Sequence, residues 1–106
     1  MSSGFNIQDL LQQAQQMQGQ MQRIKSELSQ QIFKTSAGGG VVQAEVRGDG
    51  TLMSIRIDPK VVDPSDVEML QDLVLAAVTE GTRQSKELLK GELQKAAGGL
   101  PIPDLF

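Results

Sequence analysis

Ile7, Leu10, Ala14, Met17, Met21, Ile24 and Leu28 recur at alternating spacings of three and four residues. This is the a/d seam of a heptad repeat carried over about three heptads. It predicts a helix over residues 7–33, with Asn6 as a suitable N-cap and Gln31 weakening the last seam position. Ten glutamines between Gln8 and Gln31 fill the other faces. Apolar residues interrupt them at helical spacing, so they read as a solvated helix face rather than a low-complexity aggregation tract. A stripe this narrow and regular suits a helix–helix interface between subunits better than an ordinary core-facing helix.

The seam meets a second constraint in the length of the chain. The 106 residues and 11.4 kDa allow one domain and not two. A helix of 27 residues spans about 40 Å, whereas a compact chain of this size has a diameter of roughly 33 Å. Part of the seam therefore extends beyond any single-chain core, which predicts a homodimer with projecting helices.

The remainder of the chain divides cleanly. Ile32-Phe33-Lys34-Thr35 fits a short strand or the frayed end of the helix. Gly38-Gly39-Gly40 lacks the spacing of a phosphate loop and reads as a tight bend. Val42, Ala44 and Val46 alternate with polar residues as a half-buried strand, and Gly48-Asp49-Gly50 marks a hairpin turn. The return strand runs from Leu52 to Ile57, alternating from Met53, and Asp58-Pro59 stops it. A second long helix is expected over residues 64–96, capped by Asp63 or by a Ser65-x-x-Glu68 capping box. Its apolar face comprises Val67, Leu70, Val74, Ala77, Val78, Gly81, Ser85 and Leu88. Gly98-Gly99 ends it, and Leu100–Phe106 is an apolar, Pro-containing tail that either docks on a groove or stays mobile. The fold class is α+β, ordered α-β-β-β-α around a small antiparallel meander, with residues 1–97 as one domain and 98–106 as the tail.

Composition removes whole classes of function. With no Cys there is no thiolate metal site or cysteine nucleophile, and with no His there is no His-based triad. Asp58, Asp63, Asp66, Glu68 and Asp72 are the densest carboxylates, but strand-end and capping roles account for most of them. No enzyme, cofactor, metal or small-molecule substrate is expected. No segment approaches the roughly 20 apolar residues of a membrane span, the longest run being Leu73–Val78. A cytoplasmic protein is the expectation.

The net charge is -3, and it is unevenly spread. Residues 59–80 carry Lys60 against Asp63, Asp66, Glu68, Asp72 and Glu80, a local charge of -4. The distal ends of both helices are mildly basic. Arg83, Lys86 and Lys90 lie within about 60° on a helical wheel, a stripe able to meet phosphates, although Glu87 dilutes it and pairs naturally with Arg83.

In order and spacing, several segments resemble the YbaB/EbfC family of bacterial nucleoid-associated proteins across nearly the whole chain. These are Leu10-Leu-Gln-Gln-Ala-Gln-Gln-Met17, Ala37-Gly-Gly-Gly-Val-Val42, Gly48-Asp-Gly50, Ile55-Arg-Ile-Asp-Pro59, Glu68-Met-Leu-Gln-Asp-Leu-Val74 with Ala76-Ala-Val78, and Gly98-Gly-Leu-Pro-Ile-Pro103. The resemblance implies an intertwined cytoplasmic, nucleoid-located homodimer that binds double-stranded DNA through projecting helices and contributes to nucleoid organisation and gene regulation. It implies neither catalytic activity nor a cofactor. Mapped onto basic positions here, the DNA contacts fall on Arg23, Lys25, Arg83, Lys86 and Lys90, with Lys34 and Lys95 as weaker candidates. Two positions depart from the family pattern: Gly81 where Ala is expected, and Asp104 where Gly is common. The competing expectation is a protein–protein adaptor that uses the helical arms and the apolar tail.

Overall fold

The computed structural model describes residues 6–98. Asn6 caps the first helix, α1 (Ile7–Ser29), its side chain accepting from the Gln8 N–H at 2.9 Å. The helix stops at Ser29, four residues before the predicted end at residue 33. Ile32-Phe33 passes instead into strand β1 (Ile32–Ala37). The three-glycine bend, with Gly38, Gly39 and Gly40 all at positive φ, leads to β2 (Val42–Arg47), and the Asp49 hairpin to β3 (Leu52–Ile57). The sheet is antiparallel in the order β1-β2-β3, so β1 and β3 are its edges.

The second helix, α2 (Val67–Ala96), begins later than the expected residue 64. Asp66 is its N-cap and accepts from the Met69 N–H at 3.2 Å. Neither Asp63 nor the Ser65 box caps it. Asp63 accepts from both the N–H (2.9 Å) and the hydroxyl (2.7 Å) of Ser65, a local turn that holds Pro64-Ser65 outside the helix. The same use of a carboxylate recurs at Asp58, which accepts from the Lys60 N–H at 2.9 Å and starts the short turn Pro59–Val61.

The core lies between α2 and the first two strands. Val42, Ala44, Val46 and Ala77 are essentially inaccessible. The helix approaches closely because the residues along its contact ridge, Ala77, Gly81 and Ser85, are small and spaced by four. A Cβ built on Gly81 would sit 2.6 Å from Val46 Cγ2 and 3.1 Å from Thr35 Oγ1. The expected alanine therefore has no room against this sheet. The buried Thr35 hydroxyl donates to the Ala77 carbonyl at 2.6 Å, joining β1 to α2.

A second close approach sets the direction of α1. A Cβ on Gly48 would fall 1.7 Å from the Leu28 carbonyl oxygen, and the Gly48 N–H donates to the Gln31 carbonyl at 2.8 Å. The end of α1 is thus fixed to the β2–β3 turn. From there α1 and α2 leave the sheet side by side and antiparallel, giving extents of 78 × 20 × 16 Å and a radius of gyration of 20.3 Å. A compact chain of this length would have a radius of gyration near 13 Å. The arms project as the seam length requires, and no residue of α1 is buried.

On the helix side of the sheet, β3 is left uncovered. A bulge between β2 and β3 pairs Val46 with Leu52, so Leu52 joins Ile55 and Ile57 on the helix side while Met53 leaves the simple alternation. These three residues, with Leu70, Val74, Leu75 and Val78 of α2, line an open, almost wholly apolar groove of about 510 Å³. Leu75 is 66% exposed.

Two glycines should respond in opposite directions. Gly81→Val forces a branched side chain against Val46 and is expected to lower unfolding stability by about 2–3 kcal/mol. A Cβ on Gly19, in the exposed interior of α1, meets nothing within 4 Å. Gly19→Ala should raise stability by roughly 0.5–1 kcal/mol. Urea unfolding followed by circular dichroism measures both.

Candidate nucleic-acid interface

The antiparallel arms bring cations from the two helices together. Lys25 and Ser29 of α1 line one cleft with Ser85, Lys86 and Leu89 of α2 and the turn Gly48-Asp49-Gly50. The cleft has a volume of about 360 Å³. Asp49, the carboxylate on its rim, is already engaged by Arg47 at 2.8 Å and by the Thr51 N–H at 2.9 Å. These bonds hold its carboxyl well below the usual aspartate range, so it stays ionised and paired. Lys90 follows Lys86 by one helical turn on the exposed side of α2. Among the described residues no ion pair reaches Lys25, Lys86, Lys90 or Arg23.

The other sequence candidates are placed differently. Arg23 precedes Lys25 by two residues, about 200° around α1, and so faces away from the cleft. Arg83 is held on both sides: its guanidinium donates to both Glu80 carboxylate oxygens, through Nε at 3.0 Å and through Nη2, and reaches Glu87 from Nη1 at 2.8 Å. Hydrogen bonds from Arg83 and then Gln84 hold the Glu80 carboxyl at about 2, and Glu80 with Glu87 raises the Arg83 guanidinium above its ordinary value. Lys95 pairs with Glu92 at 3.3 Å. Lys34 lies on β1 opposite Glu45 in the ladder.

Arg56 was missed by sequence reasoning. It shares a polar hollow of about 270 Å³ with Lys34, Ser36, Gln43, Glu45 and Ser54 on the sheet face away from α2. The signal was present in the strand alternation, because pairing Gln43 with Arg56 puts both on one face.

The carboxylates Asp58, Asp63 and Asp66 are each occupied with backbone N–H groups. No group of three or more potential metal ligands gathers among the described residues. None of the described helices is long and apolar enough to cross a membrane.

Comparison with known proteins agrees with the architecture. Residues 3–100 match the model of the YbaB/EbfC DNA-binding family. A nucleoid-associated protein of Clostridium novyi is 47% identical over 106 residues, covering 100% of this chain and 93% of its own. One from Acetivibrio thermocellus is 49% identical over 104 residues, covering 97% and 92% respectively. The crystal structure of an uncharacterized Helicobacter pylori protein superposes with a TM-score of 0.76 over 89% of this chain and 99% of that one. Its 21% identity speaks to the fold alone.

The Arg83 cluster generates a pH prediction. Because the folded Glu80 carboxyl titrates at about 2 against an ordinary 4.5, the unfolded chain binds more protons between those values. Stability from this contact is complete above pH 4.5 and is lost as pH falls through about 2. Glu80→Gln should lower the urea midpoint at neutral pH and leave it little changed near pH 2, so the acid limb of a plot of midpoint against pH becomes flatter.

Proposed function

Because this chain belongs to the YbaB/EbfC DNA-binding family, we propose that it binds double-stranded DNA as a homodimer, mainly through phosphate contacts from its paired helical arms. The observation that carries this reading is the convergence of Lys25 and Lys86 from different helices on one cleft, with Lys90 one turn beyond and no carboxylate paired to any of them among the described residues. Lysine ammonium groups act as point charges, suited to backbone contact without base readout. Arg23, on the opposite side of α1, stands outside this set. Arg83 is held by Glu80 and Glu87 and would have to give them up to meet phosphate, so it also stands outside the set of contacts. Binding of this kind suits nucleoid organisation and an influence on gene expression in the bacterial cytoplasm.

The homodimer reading rests on the groove between β3 and α2. It combines an apolar strip with an edge strand whose outer N–H and C=O groups lack a ladder partner in the single chain. A second copy related by a two-fold axis presents the same strip and the same edge, so one surface satisfies both needs.

Three contacts per subunit, from Lys25, Lys86 and Lys90, make six per dimer. The logarithm of the binding constant should then fall with a slope of about −5 against the logarithm of salt concentration. Lys86→Ala removes two contacts per dimer and should make the slope shallower by about 2. Arg83→Ala should change it least. Fluorescence anisotropy with a labelled duplex across a salt series measures all three. An unchanged slope in Lys25→Ala and Lys86→Ala would remove the cleft from the interface.

A further inference from the structure

The pairing of the two arms stops before α1 does. Lys25 and Ser29 share the cleft with Ser85 and Leu89, and antiparallel helices accommodate them with Lys25 matched to Leu89 and Ser29 to Ser85. Continuing that antiparallel match by two helical turns sets Leu93 against Met21 and Ala97 against Met17. Burial follows the same line. Leu93 and Ala97 are each only 3% exposed, and Met17 is the first described residue along α1 that is half-buried. Residues 7–16 are exposed throughout, among them Ile7 at 70%, Leu10 and Leu11. The apolar seam thus runs on for ten residues, about 15 Å, with nothing from α2 beside it.

The chain leaves α2 at the place where this bare seam begins. Ala97 is the C-cap, and Gly98 turns the backbone at φ +64°. The segment 99–106, outside the described residues, reads Gly-Leu-Pro-Ile-Pro-Asp-Leu-Phe. Half of its residues are large and apolar, and two prolines favour an extended path of about 3.1 Å per residue. Eight residues reach roughly 25 Å, more than the 15 Å that remains uncovered. We propose that the segment Leu100–Phe106 docks on the N-terminal half of α1 in the same subunit, placing its apolar side chains against Ile7, Leu10, Leu11 and Ala14. The tail then continues the packing that Leu93 and Ala97 begin, and the arm is a two-layered element to its tip. The proposal is independent of what the lysines bind.

The chain contains no cysteine, so a single nitroxide can be attached through Asp104→Cys in the full-length protein. Broadening of the amide signals of residues 7–14 is expected when the label and the observed nuclei are in one molecule. It is not expected in a mixture of spin-labelled and isotope-labelled molecules. Leu10→Asn, an exposed change that leaves the core untouched, should abolish the effect. Independently, removal of residues 99–106 should speed amide exchange over residues 8–16 about fivefold. Equal broadening in the mixed sample would mean that a second copy supplies the tail, and would overturn the proposal. So would an absence of broadening over residues 7–14, or exchange that is unchanged by the deletion.

Discussion

The offset of α2 across the sheet is the constraint on which the structure turns. The ridge Ala77-Gly81-Ser85 lets the helix sit almost in contact with β1 and β2, sealed by Val46 below and by the Thr35–Ala77 hydrogen bond at the side. A helix of about 10 Å diameter pressed against two strands cannot also cover a third about 5 Å away. Leu52, Ile55 and Ile57 are consequently left facing an open groove. The tight packing of one part of the sheet and the exposure of the other have a single cause, and the proposed dimer follows from it.

The arms depend on that offset less directly. The core consists of little more than Val42, Ala44, Val46 and Ala77, too few residues to hold two helices of about 35 and 45 Å. Two separate devices extend its influence outward. The Gly48 contact fixes the end of α1 to the hairpin, and the seam residues Met21, Ile24 and Leu28 then lie along α2. Lys25 and Lys86 flank this seam on their respective helices, so apolar packing decides where the charges meet. Charge placement here results from helix pairing, which explains how a chain with net charge -3 can present an uncommitted basic cleft.

Much of this was legible in the residues. The a/d spacing gave α1 its existence and face, the Asp-Gly turn gave the hairpin, and the helix length against chain size gave the projecting arms. What escaped were choices between local competitors. Ile32-Phe33 suits a helix or a strand by itself, and only pairing with Val46 and Arg47 decides for the strand. Asp63 and Asp66 are both good N-caps, and the Asp63–Ser65 turn removes the first from contention. The bulge that swaps Met53 for Leu52 on the inner face leaves no mark in an alternating pattern. Of the site, the i,i+4 relation of Arg83 and Glu87 was visible in advance, whereas the further hold of Glu80 and the cross-helix meeting of Lys25 with Lys86 required the fold.

The proposed dimer requires the open groove to be a contact between copies. Sedimentation equilibrium at micromolar concentration addresses it most directly, on the protein and on an Ile55→Glu variant that places a carboxylate in the apolar strip. The prediction is a particle of twice the 11.4 kDa chain mass for the protein and one of single-chain mass, with helical content intact, for the variant. A monomeric protein at that concentration, or a variant that remains a dimer of undiminished stability, would contradict it.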